Sequence, residues 1–361
     1  MSDLHRVSPD VLTSFAAQIF VAAGVDAREA SVVAGSLVAS NLRGHDSHGV
    51  MRVAEYVGYL RTGELVAGAD LNVVAETGSL LVADAQLGFG QVQMARLIER
   101  LAPKARQQGL ASGTLRNCGH VGRLGEWVER AAREGFAAFL TVNDNGVVTC
   151  VAPPGGTEPR ISTNPLAIGV PTGGEPLVLD MSTSVVANGK VQVARLAGRP
   201  CPPGWLLDAD GQPTTDPEVR FADPPGTLLP LGGEQSYKGF SLGLLLDILA
   251  GGLSGGFCPP APESAPSANN VLLVLWDADR FSGLSHFRGE ADKLIAACRN
   301  VRLRAGADGI RLPGDRGLDV LRERTEQGIP LDTGTWNSLT RLASERGVCI
   351  PPTRRQSVAG T

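Results

Sequence analysis

Behind Ser8-Pro9, an N-cap followed by proline at the first helical position, apolar residues Val11, Leu12, Phe15, Ile19 and Phe20 recur at helical spacing until Gly24. Asp26 with Glu29 three residues on predicts a second helix reaching about Leu42. A third is expected from Asp46 or Ser47 to about Arg61. The period then shortens. LNVVAE and SLLVADA read as strands, followed by a helix over roughly 90–108.

A strand–loop–helix–strand unit comes next: GTLRN, the glycine-punctuated CGHVGRLG, WVERAAREG, then FAAFLTVN. LAIGVP, LVLDM and VLLVLW are further expected strands, and KGFSLGLLLDILAGGL an apolar, deeply packed helix. Residues 198–233 are turn-rich, and 259–270 reads as a mobile Pro/Ala/Ser loop. The tail returns to helices near 285–300, 315–328 and 335–346. The expected fold is mixed α/β, a discontinuous helical unit from both chain ends (1–115 and 300–361) around a sheet unit (116–299).

Composition narrows the function classes. A net charge of −4 without a basic run argues against nucleic acid or an anionic membrane as partner. Six dispersed cysteines, with no C-x-x-C pair, suit a reducing cytosol better than a disulfide framework or zinc site. The first ten residues lack a signal peptide's apolar core. The longest apolar run, near 240–255, is broken by Asp247 and glycines. A soluble, cytoplasmic protein is expected.

The chemistry concentrates in 43-RGHDSHGVMRVAEY-56, which holds two of the five histidines. On a continuous helix His48, Arg52 and Tyr56 would share one face over two turns. Arginine grips carboxylates bidentately, and histidine moves protons near neutral pH. That face suits a small acid, with its anion on Arg52 and its proton handled by His48; a solvated or interface stripe is the bland alternative. A metal at His45, Asp46 and His48 matches no compact ligand spacing. A hydrolase using Ser47 and His48 would need a G-x-S-x-G elbow that the chain lacks. In CGHVGRLGEW, the glycines let backbone approach a ligand, and a helix start attracts phosphate. Neither this stretch nor GFGQVQ is the G-x-G-x-x-G dinucleotide fingerprint.

These motifs, together with STNPLAIGVPTGGEPLVLDMSTSVVANGKV, YKGFSLGLLLDILAGGLSGG and IRLPGDRG…EQGIPLD, stand in an order that resembles the malate/L-lactate dehydrogenase family of the second type. That family includes ureidoglycolate dehydrogenase, 2,3-diketo-L-gulonate reductase, L-sulfolactate dehydrogenase and Δ1-piperideine-2-carboxylate reductase. The resemblance covers nearly the whole chain. It implies a homodimeric oxidoreductase using NAD or NADP on a non-Rossmann sheet domain, with the helical end region carrying substrate and dimer contacts. Its substrate would be a small 2-oxo or 2-hydroxy acid, or alternatively a cyclic imino acid. It implies Ser47, His48, Arg52, Tyr56 and Thr163 around the substrate, and His120, Gly122, Arg123, Leu124, Asp144, Met181, Ser182 and Lys238 around the cofactor. Asp180 is expected to join Ser47 in orienting His48, and His120 is the rival proton donor.

Overall fold

A computed structural model describes residues 4–196 and 198–356. The two chain ends meet. Strand Leu4–Val7 pairs antiparallel with Ile329–Asp332 on one side and with Arg354–Gln356 on the other. Helices Pro9–Ala22, Ala27–Leu42 and Thr333–Glu345 bury Leu12, Phe20, Leu37 and Leu339 in one core with Val53 and Phe89. The Asp26 carboxylate caps its helix through the N–H groups of Arg28 and Glu29. Glu29 does not close a reciprocal capping box; its carboxylate accepts from Gly68 N at 2.8 Å.

A seven-stranded sheet forms the second core. Its order is Asn72–Glu76, Leu80–Asp84, Leu110–Cys118, Asn269–Asp277, Phe136–Asn143, Leu166–Val170, Leu177–Met181. Leu80–Asp84 and Leu110–Cys118 run parallel, joined by helix Gly90–Gln108, and every other neighbouring pair is antiparallel. The protein is thus mixed α/β. A division at 115/116 falls inside strand Leu110–Cys118, which pairs with Leu80–Asp84 in the central sheet.

Two glycine-rich loops touch backbone to backbone. A Cβ at Gly90 would run into the carbonyl oxygens of Gly119 and His120, and one at Gly119 would sit 2.6 Å from Gly88 O. Close approach therefore explains the glycines of GFG and CGH without a nucleotide fingerprint. It also seats the start of helix Gly90–Gln108 against His120.

Three expectations need correction. The region 46–62 is not one helix: short 3₁₀ turns at Asp46–His48 and Val50–Arg52 precede helix Val53–Thr62. Gly49 between the turns is extended, and Asn41 pins it, accepting from Val50 N (2.9 Å) and donating to Asp46 Oδ1 (2.6 Å). The helix Tyr237–Asp247 is not deeply packed. It passes into a π-turn at Ile248–Gly252, and Leu245, Ile248 and Leu253 are 59%, 50% and 55% exposed. Finally, the 259–270 loop is anchored at its end: Asn145 donates to Pro266 O at 3.0 Å and Ala268 is buried.

Candidate active site

The loop–turn segment 47–56 and the loop 119–124 face each other across a cavity of about 330 Å³. Ser47, His48, Arg52, Tyr56, His120, Gly122, Leu124, Asp144 and Thr163 all line it, so nine of the expected site residues converge although the continuous helix does not exist. The 3₁₀ turns replace helical spacing as the device that aims His48 and Arg52 inward.

Each histidine ring has its Nδ1 at a hydroxyl. Ser47 Oγ lies 3.1 Å from His48 Nδ1, and Tyr56 Oη lies 2.7 Å from His120 Nδ1. The two rings stack. Enclosure, reinforced by Arg52, pushes the His48 pKa down to about 3. Enclosure likewise holds His120 well below the ordinary histidine value, with His48 and Arg52 adding to the effect. Both imidazoles are therefore neutral near pH 7. Burial pushes the Tyr56 hydroxyl well above its usual range, so it stays protonated.

Arg52 is held from two sides. Its Nε donates to Ser47 O at 2.7 Å, and Nη1 pairs with Glu55 at 2.6 Å. Nη2 remains on the side facing Gly189, where a built Cβ would lie 3.9 Å away. Asp144 is enclosed, with Ser162 and Asn269 donating to its two oxygens. Burial raises its pKa, the Ser162 bond opposes that rise, and the nearby Asp247 adds to it.

Asp180 makes no hydrogen bond to His48 among the described residues. It borders a neighbouring cavity of about 530 Å³ and accepts from the N–H of Gly125 at 2.7 Å, near the start of helix Leu124–Arg133. Strand Leu177–Met181 carries Asp180 to that helix start, where a first-turn N–H without an intrahelical acceptor binds its carboxylate. The same cavity is lined by Arg43, Arg123, Lys190 and Arg316, and Ser47 belongs to both cavities. Arg43, Arg123 and Arg133 converge on Glu129. Burial pushes that carboxyl up, but the three guanidiniums outweigh it and hold it below its ordinary value. The Nε of Arg123 is buried without a partner among the described residues. Met181, Ser182 and Lys238 line neither cavity, and Lys238 is exposed beside the Tyr237 ring. Asp46, one of the two expected helix caps, is bound by Asn41 and Arg324.

Sequence reading missed Glu55, Gln91, Asn188 and Gly189, all of which line the first cavity. Gln91 stands in GFGQVQ, a stretch whose glycines drew attention away from its amide. Glu55 was one residue from the Arg52–Tyr56 pair, but adjacency gives no direction.

Comparisons with known proteins place the chain in a family. The malate/L-lactate dehydrogenase family model matches residues 7–340. Hydroxycarboxylate dehydrogenase B of Escherichia coli is 35% identical over 355 residues, covering 96% of each chain. The Δ1-pyrroline-2-carboxylate/Δ1-piperideine-2-carboxylate reductase of Pseudomonas syringae pv. tomato is 36% identical over 347 residues, covering 94% of this chain and 96% of the relative. The structure of malate dehydrogenase from Pyrococcus horikoshii OT3 superposes with a TM-score of 0.86 at 30% identity, covering 96% of each chain. With the motif order, the fold and the convergent His/Arg cavity, these matches establish that the chain is an oxidoreductase belonging to the malate/L-lactate dehydrogenase family.

Proposed function

We propose that this chain is an NAD- or NADP-dependent oxidoreductase that interconverts a small 2-oxo acid and its 2-hydroxy acid. The observation that carries the reading is the single cavity in which one guanidinium, Arg52, and two neutral imidazoles, His48 and His120, converge. That set can bind one carboxylate and move one proton. Nicotinamide, when bound, supplies or accepts hydride at C2 of the acid.

The adjoining cavity suits a phosphate-bearing group through Lys190 and Arg316, with Arg43 and Arg123 also lining it while paired to Glu129, and with Asp180 taking the Gly125 N–H at the helix start. Arg123 is assigned to the cofactor on that ground, while Gly122, Leu124 and Asp144, which line the first cavity, are assigned to it by resemblance. Met181 and Ser182 are assigned to it because they follow Asp180 at and just past the end of the bordering strand, and Lys238 is assigned by resemblance alone. The largely antiparallel sheet supports a cofactor domain distinct from the doubly wound parallel type.

The protein's own residues bind and orient the acid. Arg52 Nη2, the face of the guanidinium turned from Glu55, takes the carboxylate. His48, steadied by Ser47, and His120, steadied by Tyr56, face the C2 oxygen, whose proton is gained or lost as hydride moves at C2, and Thr163 borders the substrate. Ser47 is bonded to the adjacent His48 and is assigned no nucleophilic role. We assign the chain to a cytoplasmic homodimer, for which the exposed apolar face of Leu245, Ile248 and Leu253 is the candidate contact.

A second substrate class is favoured by one observation. Glu55 and Glu64 border the cavity beside Arg52, and these carboxylates suit a protonated cyclic C=N as found in five- and six-membered imino acids. The test for both is loss of reduced-nicotinamide absorbance with NADH and NADPH separately. Acceptors are pyruvate, oxaloacetate, 2-oxoglutarate, Δ1-pyrroline-2-carboxylate and Δ1-piperideine-2-carboxylate. Turnover of an open-chain acid supports the first reading and turnover of an imine the second. Failure to bind either cofactor overturns both.

A further inference from the structure

Gln91 opens helix Gly90–Gln108, is 0% exposed, and lines the cavity wall. The backbone contact at Gly90 places it there. Its Nε2 lies 3.0 Å from Tyr56 Oη, and its amide oxygen is buried with no partner among the described residues. Tyr56 in turn reaches only one imidazole nitrogen, His120 Nδ1, at 2.7 Å.

Hydrogen-bond valence orders this chain. An amide NH₂ can only donate, so the tyrosine oxygen accepts from Gln91. The single tyrosine proton is then left for His120 Nδ1. A neutral imidazole carries one N–H, so with Nδ1 accepting, the proton must sit on Nε2. The His120 ring is kept neutral by enclosure, so this choice between tautomers is its main remaining degree of freedom.

We propose that Gln91 is a positioning residue that, through Tyr56, holds His120 as the Nε2–H tautomer, a hydrogen-bond donor toward the cavity. This assignment rests on the proposed dehydrogenase reading for its catalytic meaning, but its structural content stands apart from turnover. Gln91 is assigned no contact with the reacting atoms, acting through Tyr56. Reversing its amide would let Tyr56 donate to the amide oxygen, turn His120 Nδ1 into a donor and leave Nε2 a lone pair. The polarity of the whole relay is therefore set at position 91.

The experiment is ¹⁵N NMR of the full chain labelled at its histidines, with His120 assigned by its loss in His120→Ala. In the wild type, His120 should show protonated Nε2 and unprotonated Nδ1. Gln91→Glu, compared above the pH at which its carboxyl ionises, can only accept, and it should invert the tautomer. Its kcat should fall about 10²-fold, with KM for the acid changed less than about 3-fold. Should Gln91→Glu fail to fold, Tyr56→Phe removes the linking hydroxyl and should leave His120 with mixed tautomers. A wild-type proton on Nδ1, or an unchanged tautomer in a folded variant, overturns the proposal. So does an inverted tautomer with kcat intact. Because the spectrum needs no substrate, a wild type that turns over no acid counts against the dehydrogenase reading, whereas the wrong tautomer counts against the relay.

Discussion

The imidazole rings of His48 and His120 stack with centroids 5.4 Å apart and planes inclined by 21°. Two protonated rings at that separation would repel, and each also faces Arg52. The stack therefore exists as a neutral pair. It joins two segments 72 positions apart in the chain (120 less 48), each ring held at Nδ1 by its own hydroxyl.

That neutrality has a consequence for pH. The His48 pKa falls from 6.5 to about 3 on folding, so below pH 6.5 the unfolded chain binds the extra proton first. Stability contributed by the neutral ring is complete above pH 6.5 and is lost progressively as pH falls toward 3. One pH unit below the ordinary value the cost is about 1.4 kcal/mol. Thermal melts of the wild type should drop more steeply between about pH 6.5 and 5 than those of His48→Ala. Parallel curves would show that this ring does not carry the acid sensitivity.

Replacing the histidines should separate binding from proton transfer. His48→Ala and His120→Ala should each retain cofactor binding by nucleotide fluorescence. Each should lose on the order of 10²–10⁴ in kcat if it moves the proton. The larger loss identifies the principal donor.

Arg52→Ala should raise KM for the acid by roughly tenfold to a hundredfold, the worth of a charged hydrogen bond of about 1.5–3 kcal/mol. The change also frees the Glu55 carboxylate inside the cavity, so the effect on anions should exceed that of Arg52→Lys. Equal kinetics for the two variants would place the carboxylate elsewhere.

In the neighbouring cavity, Arg316→Ala should weaken NAD(P)H binding about tenfold, the loss of one charge-assisted contact. It should leave KM for the acid unchanged, because Arg316 lines the cavity of Asp180 rather than that of Arg52. Titration of protein against reduced cofactor reads the first, and steady-state kinetics the second.

Leu245→Glu places a charge on an apolar face that is exposed in the isolated chain. Sedimentation velocity should show a dimer for the wild type and a monomer for the variant, since a buried unpaired carboxylate opposes association. A wild-type monomer would remove the assignment of this face.

The sequence by itself determined most elements, because apolar period and punctuation by glycine and proline are local properties. Helices Pro9–Ala22 and Gly90–Gln108 and strand Phe136–Asn143 stand where the pattern predicts them. Residue chemistry likewise marked Ser47, His48, Arg52, Tyr56 and His120, which do share one cavity. Tertiary structure decided direction and partnership. Asn41 breaks the expected 46–61 helix by binding Val50 N and Asp46, and Asp180 turns to Gly125 instead of His48. The sheet joins Leu80–Asp84 to Leu110–Cys118, and so brings the backbone at Gly90 against Gly119 and Gln91 to Tyr56. Such choices depend on which hydrogen-bonding groups meet in three dimensions, and periodicity along a chain carries no information about that.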